Sequence, residues 1–217
     1  MMRLFAIAAV AALSTATHAE DLTKLMAACA PQVHPSTLSA IVRTESNGRM
    51  YVLSDDGPRG LPYAQRKTML RTIHAGSSEE AATIAKDLIA RGHLVGLGLT
   101  QVNSQNLPAL GLTVEQVLDP CINLRAGGQI LTSFFRTASV RLKDPQEALL
   151  AAISAYNTGS FQRGFANGYV RKVLVNAGAG VPALSAASRR GLQAKGRTMQ
   201  VQYLQDARHS EIEVEFQ

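Results

Sequence analysis

Leu38-Ser39-Ala40-Ile41-Val42-Arg43-Thr44-Glu45-Ser46-Asn47-Gly48 is the stretch on which fold and chemistry both turn. Leu38, Ile41 and Val42 recur at helical spacing, and Glu45 continues the same stripe, so its carboxylate is carried onto the face that should be buried. A glutamate on a helix face is usually solvated, but apolar surroundings disfavour the charged form. Gly48 is a plausible helix stop, which sets Glu45 near the negative end of the helix dipole and raises its pKa further. An acid that keeps its proton near neutral pH is a candidate general acid.

Outward from that helix, the chain ends bound where the chemistry happens. Residues 1–19 show a basic start at Arg3, an apolar run from Leu4 to Leu13, and small residues ending at Thr17-His18-Ala19. This reads as a removable secretory signal, with cleavage after Ala19 and a periplasmic destination. The run is short of the roughly 20 residues that span a bilayer, which disfavours the alternative of a membrane anchor, and no other stretch could span one. Cys29 and Cys121 are the only cysteines, and an oxidising compartment favours a disulfide between them over two buried thiols. The histidines, His18, His34, His74, His93 and His209, form no metal-binding pattern, so neither a metal nor another cofactor is expected. The formal charge of +6 comes without a dense Lys/Arg stripe. It suits an anionic wall polymer or membrane surface, or simply a solvated basic face, and nucleic acid is not the expected partner.

Organisation along the chain is mostly helical. Met50 to Leu53 leans towards strand, and Asp55-Asp56-Gly57 after it reads as a turn or small hairpin, opening a loop-rich insert that extends to about Gly76. Ser77 and Glu80 form a possible capping box for a helix faced by Ile84, Ala85, Leu88 and Ile89 and stopped at Gly92. A short helix follows Thr113 and Gln116 and ends before Pro120, and a longer one occupies about Leu124 to Arg141. Asp144, Pro145 and Glu147 announce a helix with Leu149, Ala152, Ile153 and Tyr156 on its apolar face, so that Tyr156 ends one helix as Glu45 ends another. One domain of residues 20–176 is long enough for a single core. From about residue 177 the chain is rich in Gly, Ala and Ser and reads as a flexible tail. Its end, Glu211-Ile212-Glu213-Val214-Glu215-Phe216, alternates acidic and apolar residues and is either disordered or a strand that adds to a partner's sheet.

Three motifs carry the chemistry: Glu45-Ser46, Gly96-Leu97-Gly98-Leu99-Thr100-Gln101-Val102-Asn103 and Ala155-Tyr156-Asn157-Thr158-Gly159. Their order resembles that of the lysozyme-like lytic transglycosylases, and the likeness is greatest to the subgroup that accompanies type IV secretion and conjugation machines. Cys29-Ala30-Pro31, Gly92-His93, Asp119-Pro120-Cys121-Ile122-Asn123-Leu124 and Gly164-Phe165-Ala166-Asn167-Gly168-Tyr169-Val170 are similar to that subgroup as well. The likeness covers roughly Leu22 to Val175. The wider family has Gly-Leu-Met-Gln where Gly98-Leu99-Thr100-Gln101 stands here, and places it sooner after the glutamate, so the Met50 to Gly92 insert is expected to reshape one wall of the groove.

The resemblance implies a mainly α, lysozyme-like domain of the goose-type or soluble transglycosylase kind, with a small loop or β-hairpin insert. It implies cleavage of the β-1,4 bond from N-acetylmuramic acid to N-acetylglucosamine in peptidoglycan, with Glu45 as acid and then base while the muramyl C6 hydroxyl closes a 1,6-anhydro ring. No water is consumed, so a second carboxylate is not required; Asp55 and Asp56 are read as turn residues. Tyr156 would orient Glu45, and Gln101, Asn103 and Asn157 would hold sugar N-acetyl and hydroxyl groups. Ser46 would shape the cleft, and Gly98 and Gly159 would admit the glycan close to the backbone. The plainer readings are a core tyrosine at 156 and helix caps at Ser46 and Asn103. Partners implied are glycan strands and, through the tail, secretion components. The competing functions are a hydrolytic lysozyme with the same acid and a non-catalytic periplasmic glycan-binding scaffold, the latter with no need of a desolvated acid. The missing third glycine after Gly96 and Gly98 and the missing Walker lysine argue against a nucleotide enzyme, and no Gly-x-Ser-x-Gly elbow occurs.

Overall fold

His34 and Pro35 start the helix that carries Glu45. The His34 ring accepts the Ser36 N–H at 3.2 Å, and Pro35 occupies a first-turn position where no N–H is needed. The computed structural model describes residues 21–178; the expected signal segment and the tail with its acidic–apolar end lie outside the described residues. Residues 21–29 form α1, and α2 is Pro35–Glu45 with Leu38, Ile41 and Val42 buried as the stripe predicts. Cys29, at the end of α1, is disulfide-bonded to Cys121.

The insert is more ordered than a loop with a hairpin. It supplies β1 (Val52–Pro58), the single turn α3 (Tyr63–Arg66), β2 (Arg71–His74) and α4 (Ser78–Ala90), and the stretch after it adds β3 (His93–Leu97) and β4 (Val102–Asn103) to an antiparallel sheet of order β2-β1-β3-β4. Asp55-Asp56-Gly57 is therefore no turn: it runs inside β1. Gly57 takes φ +75° where the β1–β3 register shifts between Asp55 and Pro58, so the conformational freedom read as a turn signal is used for a bulge. Asp55 faces the core side, 1% exposed, and pairs with Arg71 of β2 at 2.6 Å and His93 of β3 at 2.7 Å, tying three strands together.

Burial alone would raise the Asp55 pKa, but Arg71, His93 and the Gly57 N–H outweigh it and hold the carboxyl below its usual value. Its stabilisation is thus present above the unfolded-state pKa of about 3.9 and is lost as pH falls through the lower folded value. We expect Asp55→Asn to cost about 1–3 kcal/mol at pH 7, and urea titrations to show the difference from wild type shrinking in acid. A constant difference across that range would sink this account.

The remaining helices follow α5 (Leu107–Leu110): α6 (Val114–Val117), α7 (Pro120–Ser139), α8 (Pro145–Thr158), α9 (Arg163–Ala166) and α10 (Tyr169–Ala177). Thr113 and Gln116 form the expected capping box, and Asp144 accepts the N–H groups of Gln146 and Glu147. Ser77 caps Glu80 N–H, while Glu80 reaches Gly76 rather than Ser77. Asp119 caps α7 ahead of Pro120, so this helix starts four residues earlier than its apolar pattern indicated. α7 buries Leu124, Ile130, Leu131, Phe134 and Phe135, each worth about 1.5–3 kcal/mol of burial. It packs against α8, and α10 packs against α2. No described helix is long and apolar enough to cross a membrane.

Candidate active site

Period-two alternation along β1 sends Leu53 and Asp55 to the core and Val52, Ser54 and Asp56 to the opposite face. That face is one wall of a cavity of about 510 Å³. Strand register extends the wall, since Ser54 pairs with Thr72 of β2 and Gly96 of β3, and Gly96 pairs with Asn103 of β4; all four line the cavity. Gly96 must lack a side chain, because a Cβ would lie 2.4 Å from Ser54 Oγ and 2.6 Å from Gln101 Oε1. Glu45, Tyr156, Asn157, Ile130 and Lys172 line the cavity from the helices.

Burial pushes the Glu45 pKa up to about 7, with Asp56 adding to the rise and a Tyr169 hydrogen bond and Lys172 opposing it. The predicted apolar stripe thus acts through desolvation. The tyrosine bonded to Glu45 is Tyr169, whose hydroxyl donates to Oε1. Tyr156 instead donates to Thr100 O at 2.7 Å. Burial and the nearby Glu45 carboxylate raise both phenols, so each stays protonated and remains a donor. Tyr169 is placed by a local device: Gly164 packs α9 on Ser154 of α8, Gly168 takes φ +81°, and Asn167 Oδ1 accepts the Tyr169 N–H. The motif from Gly164 to Val170 held this signal in the sequence, but no periodicity singled out its tyrosine.

The central motif forms a tight turn with φ +73° at Gly98 and +49° at Gln101. Asn123, buried on α7, braces it: Nδ2 donates to Leu97 O and Val117 O, and Oδ1 accepts from Thr100 N and Oγ1, all at 2.8 Å. Thr100 in place of the wider family's methionine is thereby accounted for, because its hydroxyl is used by Asn123. Gly98 does not line the cavity; a Cβ there would meet Asn123 Nδ2 at 2.5 Å, so its bareness serves this brace instead of a glycan. Gly159 is the left-handed C-cap of α8. Ser46 lies outside the cavity lining, donating to Val42 O and accepting from Gly48 N as it ends α2. Gln101 does line the cavity, yet its Nε2 is held by Val52 O and Gly98 O, leaving Oε1 as its freer end.

Asn103 is a helix cap that also lines the cavity: Oδ1 accepts the Gln105 N–H while Nδ2 reaches Asp56 Oδ2 at 3.4 Å. Asn157 accepts from Asn167 at 3.1 Å. Asn106, 3% exposed, also lines the cavity, and its buried Oδ1 has no partner among the described residues. No cluster of three metal-ligating side chains occurs among the described residues. The site therefore offers one acid that titrates near neutrality, amides suited to acetamido and hydroxyl groups, one cation and a second carboxylate, with the two tyrosine hydroxyls engaged by Glu45 and the Thr100 carbonyl.

Residues 23–176 match the family described as the transglycosylase SLT domain. The chain belongs to that family. The transglycosylase SLT domain fits the fold expected of it, a lysozyme-like helical domain, with two strands of the insert pairing into a four-stranded sheet with two from the following segment. The chain is 39% identical over 158 residues to protein virB1 of Agrobacterium fabrum, covering 73% of this chain and 60% of that protein. It is 37% identical over 172 residues to protein virB1 of Rhizobium radiobacter, 79% of this chain and 67% of the relative. With the type IV secretion system protein virB1 of Brucella abortus it shares 39% identity over 155 residues, 69% of this chain and 60% of the relative. The matched region thus spans about 60% to 67% of the length of these relatives. No solved structure matches the chain.

A hydrogen bond to the ionised form of Glu45 lowers its pKa, so removing that bond raises it. Tyr169→Phe is expected to move the alkaline limb of the pH–rate profile upwards and to lower the rate at the optimum, where the acid is less well oriented. A limb that stays put or moves to lower pH would contradict the Tyr169–Glu45 bond.

Proposed function

We propose that this SLT domain is a periplasmic peptidoglycan lytic transglycosylase that opens the wall locally for a type IV secretion or conjugation apparatus. The observation that carries the reaction is Glu45, partly buried in the cavity with its pKa near 7 and a tyrosine hydroxyl on its carboxyl. Glu45 gives its proton to the oxygen between the muramyl C1 and the next sugar, and the C1–O bond breaks. The muramyl C6 hydroxyl bonds to C1 and its proton passes to the Glu45 carboxylate, so the acid is restored and no water enters. The secretion setting is supported by the likeness to the type IV secretion system protein virB1 of Brucella abortus, and export by the N-terminal pattern of residues 1–19. The tail, 177–217, is the proposed docking segment for that apparatus, and 20–176 the catalytic unit.

Asp56 in the cavity is the observation that favours a second reading, hydrolysis with water in place of the C6 hydroxyl. Digestion in ¹⁸O-labelled water separates the two. Released muramyl ends that carry no label support the internal attack, whereas label at C1 would establish a hydrolase.

A further inference from the structure

We propose that Asp56 is a second catalytic residue, an ionised carboxylate that faces the muramyl C1 from the sheet wall and stabilises the positive charge developing there as the glycosidic bond breaks. This rests on the transglycosylase reading above. It also departs from the expectation that Asp56 is a turn residue.

Placement comes first. Strand alternation gives adjacent aspartates opposite roles: Asp55 is buried under the sheet and bound to Arg71 and His93, whereas Asp56 lines the cavity with Glu45. Structural pinning of the strands is thus already done by Asp55. The Asp56 carboxylate is held by groups that favour a fixed anion: Asn103 Nδ2 at 3.4 Å, the Ser54 hydroxyl, and the nearby Arg66 guanidinium, which itself donates to Asp56 O at 2.7 Å. These contacts leave carboxylate acceptor capacity directed at a cavity that holds a single general acid.

Chemistry then assigns the role. Breaking a glycosidic bond passes through an oxocarbenium-like state with positive charge spread over C1 and the ring oxygen. A preorganised anion across the groove stabilises that charge more than it stabilises the neutral substrate, which is the condition for raising kcat. Asp56 forms no bond and moves no proton; the proton cycle stays with Glu45 and the C6 oxygen. Burial, with the Asp55 charge beside it, lifts the Asp56 pKa above the usual carboxylate value, and the Ser54 hydroxyl and Arg66 guanidinium oppose that rise on the side of the anion. Between two acids in one cavity, the charge of Asp56 also favours the protonated form of Glu45.

The test compares wild type with Asp56→Asn and Asp56→Glu on purified peptidoglycan, reading kcat, KM, thermal midpoint and product ends, with affinity for an N-acetylglucosamine tetramer. The expected result for Asp56→Asn is a fall in kcat of about 10²–10³-fold, unchanged 1,6-anhydro ends, and little change in KM or tetramer affinity. Asp56→Glu, which keeps the charge, is expected to retain more activity. Should Asp56→Asn melt early, Asp56→Ser, smaller and neutral, takes its place. A kcat within a few-fold of wild type in a folded neutral variant, or a loss confined to KM and affinity, overturns the role of Asp56 and leaves the transglycosylase reading standing. Reducing muramyl ends from the wild type overturn both.

Discussion

Glu45→Gln lowers the rate of glycan cleavage by about 10²–10⁴-fold or more while the protein stays folded and still binds glycan. Glutamine keeps the size and hydrogen-bonding capacity of the protonated acid but has no proton to give, so only the chemical step is lost. The same carboxyl sets the pH dependence. Glu45 must be protonated to begin the reaction and its pKa is about 7, so kcat/KM is expected to be flat on the acid side of neutrality and to fall above about pH 7. Fluorescent release from labelled peptidoglycan between pH 5 and 9 measures both effects. Rates that keep rising well beyond pH 8 would mean that Glu45 acts in its ionised form, against the proposed role.

The second large effect is on stability. The Cys29–Cys121 bond closes a loop across 92 positions of sequence, joining the end of α1 to the first turn of α7. A loop of about 100 residues is worth about 4.7 kcal/mol in the chain-entropy picture. Replacing both cysteines by serine is therefore expected to destabilise the protein by about 4–5 kcal/mol. The corresponding drop in thermal midpoint is roughly 10–15 °C. Neither cysteine lines the cavity, so activity per folded molecule should survive at low temperature. A midpoint unchanged by the double replacement, or by a reductant, would contradict the bond's contribution.

What the sequence made legible was what is decided locally. Leu38, Ile41, Val42 and Glu45 share a face because of helix geometry alone, and Asp144 and Thr113 cap helices through neighbours two or three residues away. Strand β1 is legible only at its start, Val52 and Leu53, because the pairing that carries it on to Pro58 is decided elsewhere in the chain. Asp55-Asp56-Gly57 has turn chemistry, yet Arg71, Val95 and His93 draw it into a sheet and the glycine is absorbed by a bulge. The same long-range placement hid Asp56, whose side of the strand is known only once β1 is known to be a strand.

Tyrosine roles were divided for a related reason. Tyr156 was visible because it ends an amphipathic stripe, and it does line the cavity, but its hydroxyl supports the Thr100 turn. Tyr169 begins its helix after Gly168, where no stripe precedes it, and it reaches Glu45 only because α10 packs on α2. Asn123 carries no sign of its role in the sequence, since a buried amide that satisfies four groups on three segments leaves no periodic trace. Glycines misled in the same direction: Gly98 looked like room for a ligand and is room for Asn123.

The most direct measurement of the central claim is mass spectrometry of the soluble muropeptides released from peptidoglycan by the purified protein and by its Glu45→Gln variant. The account predicts 1,6-anhydromuramic ends from the wild type and none from the variant. Reducing muramic ends, or 1,6-anhydro ends that persist without the Glu45 carboxyl, would contradict it.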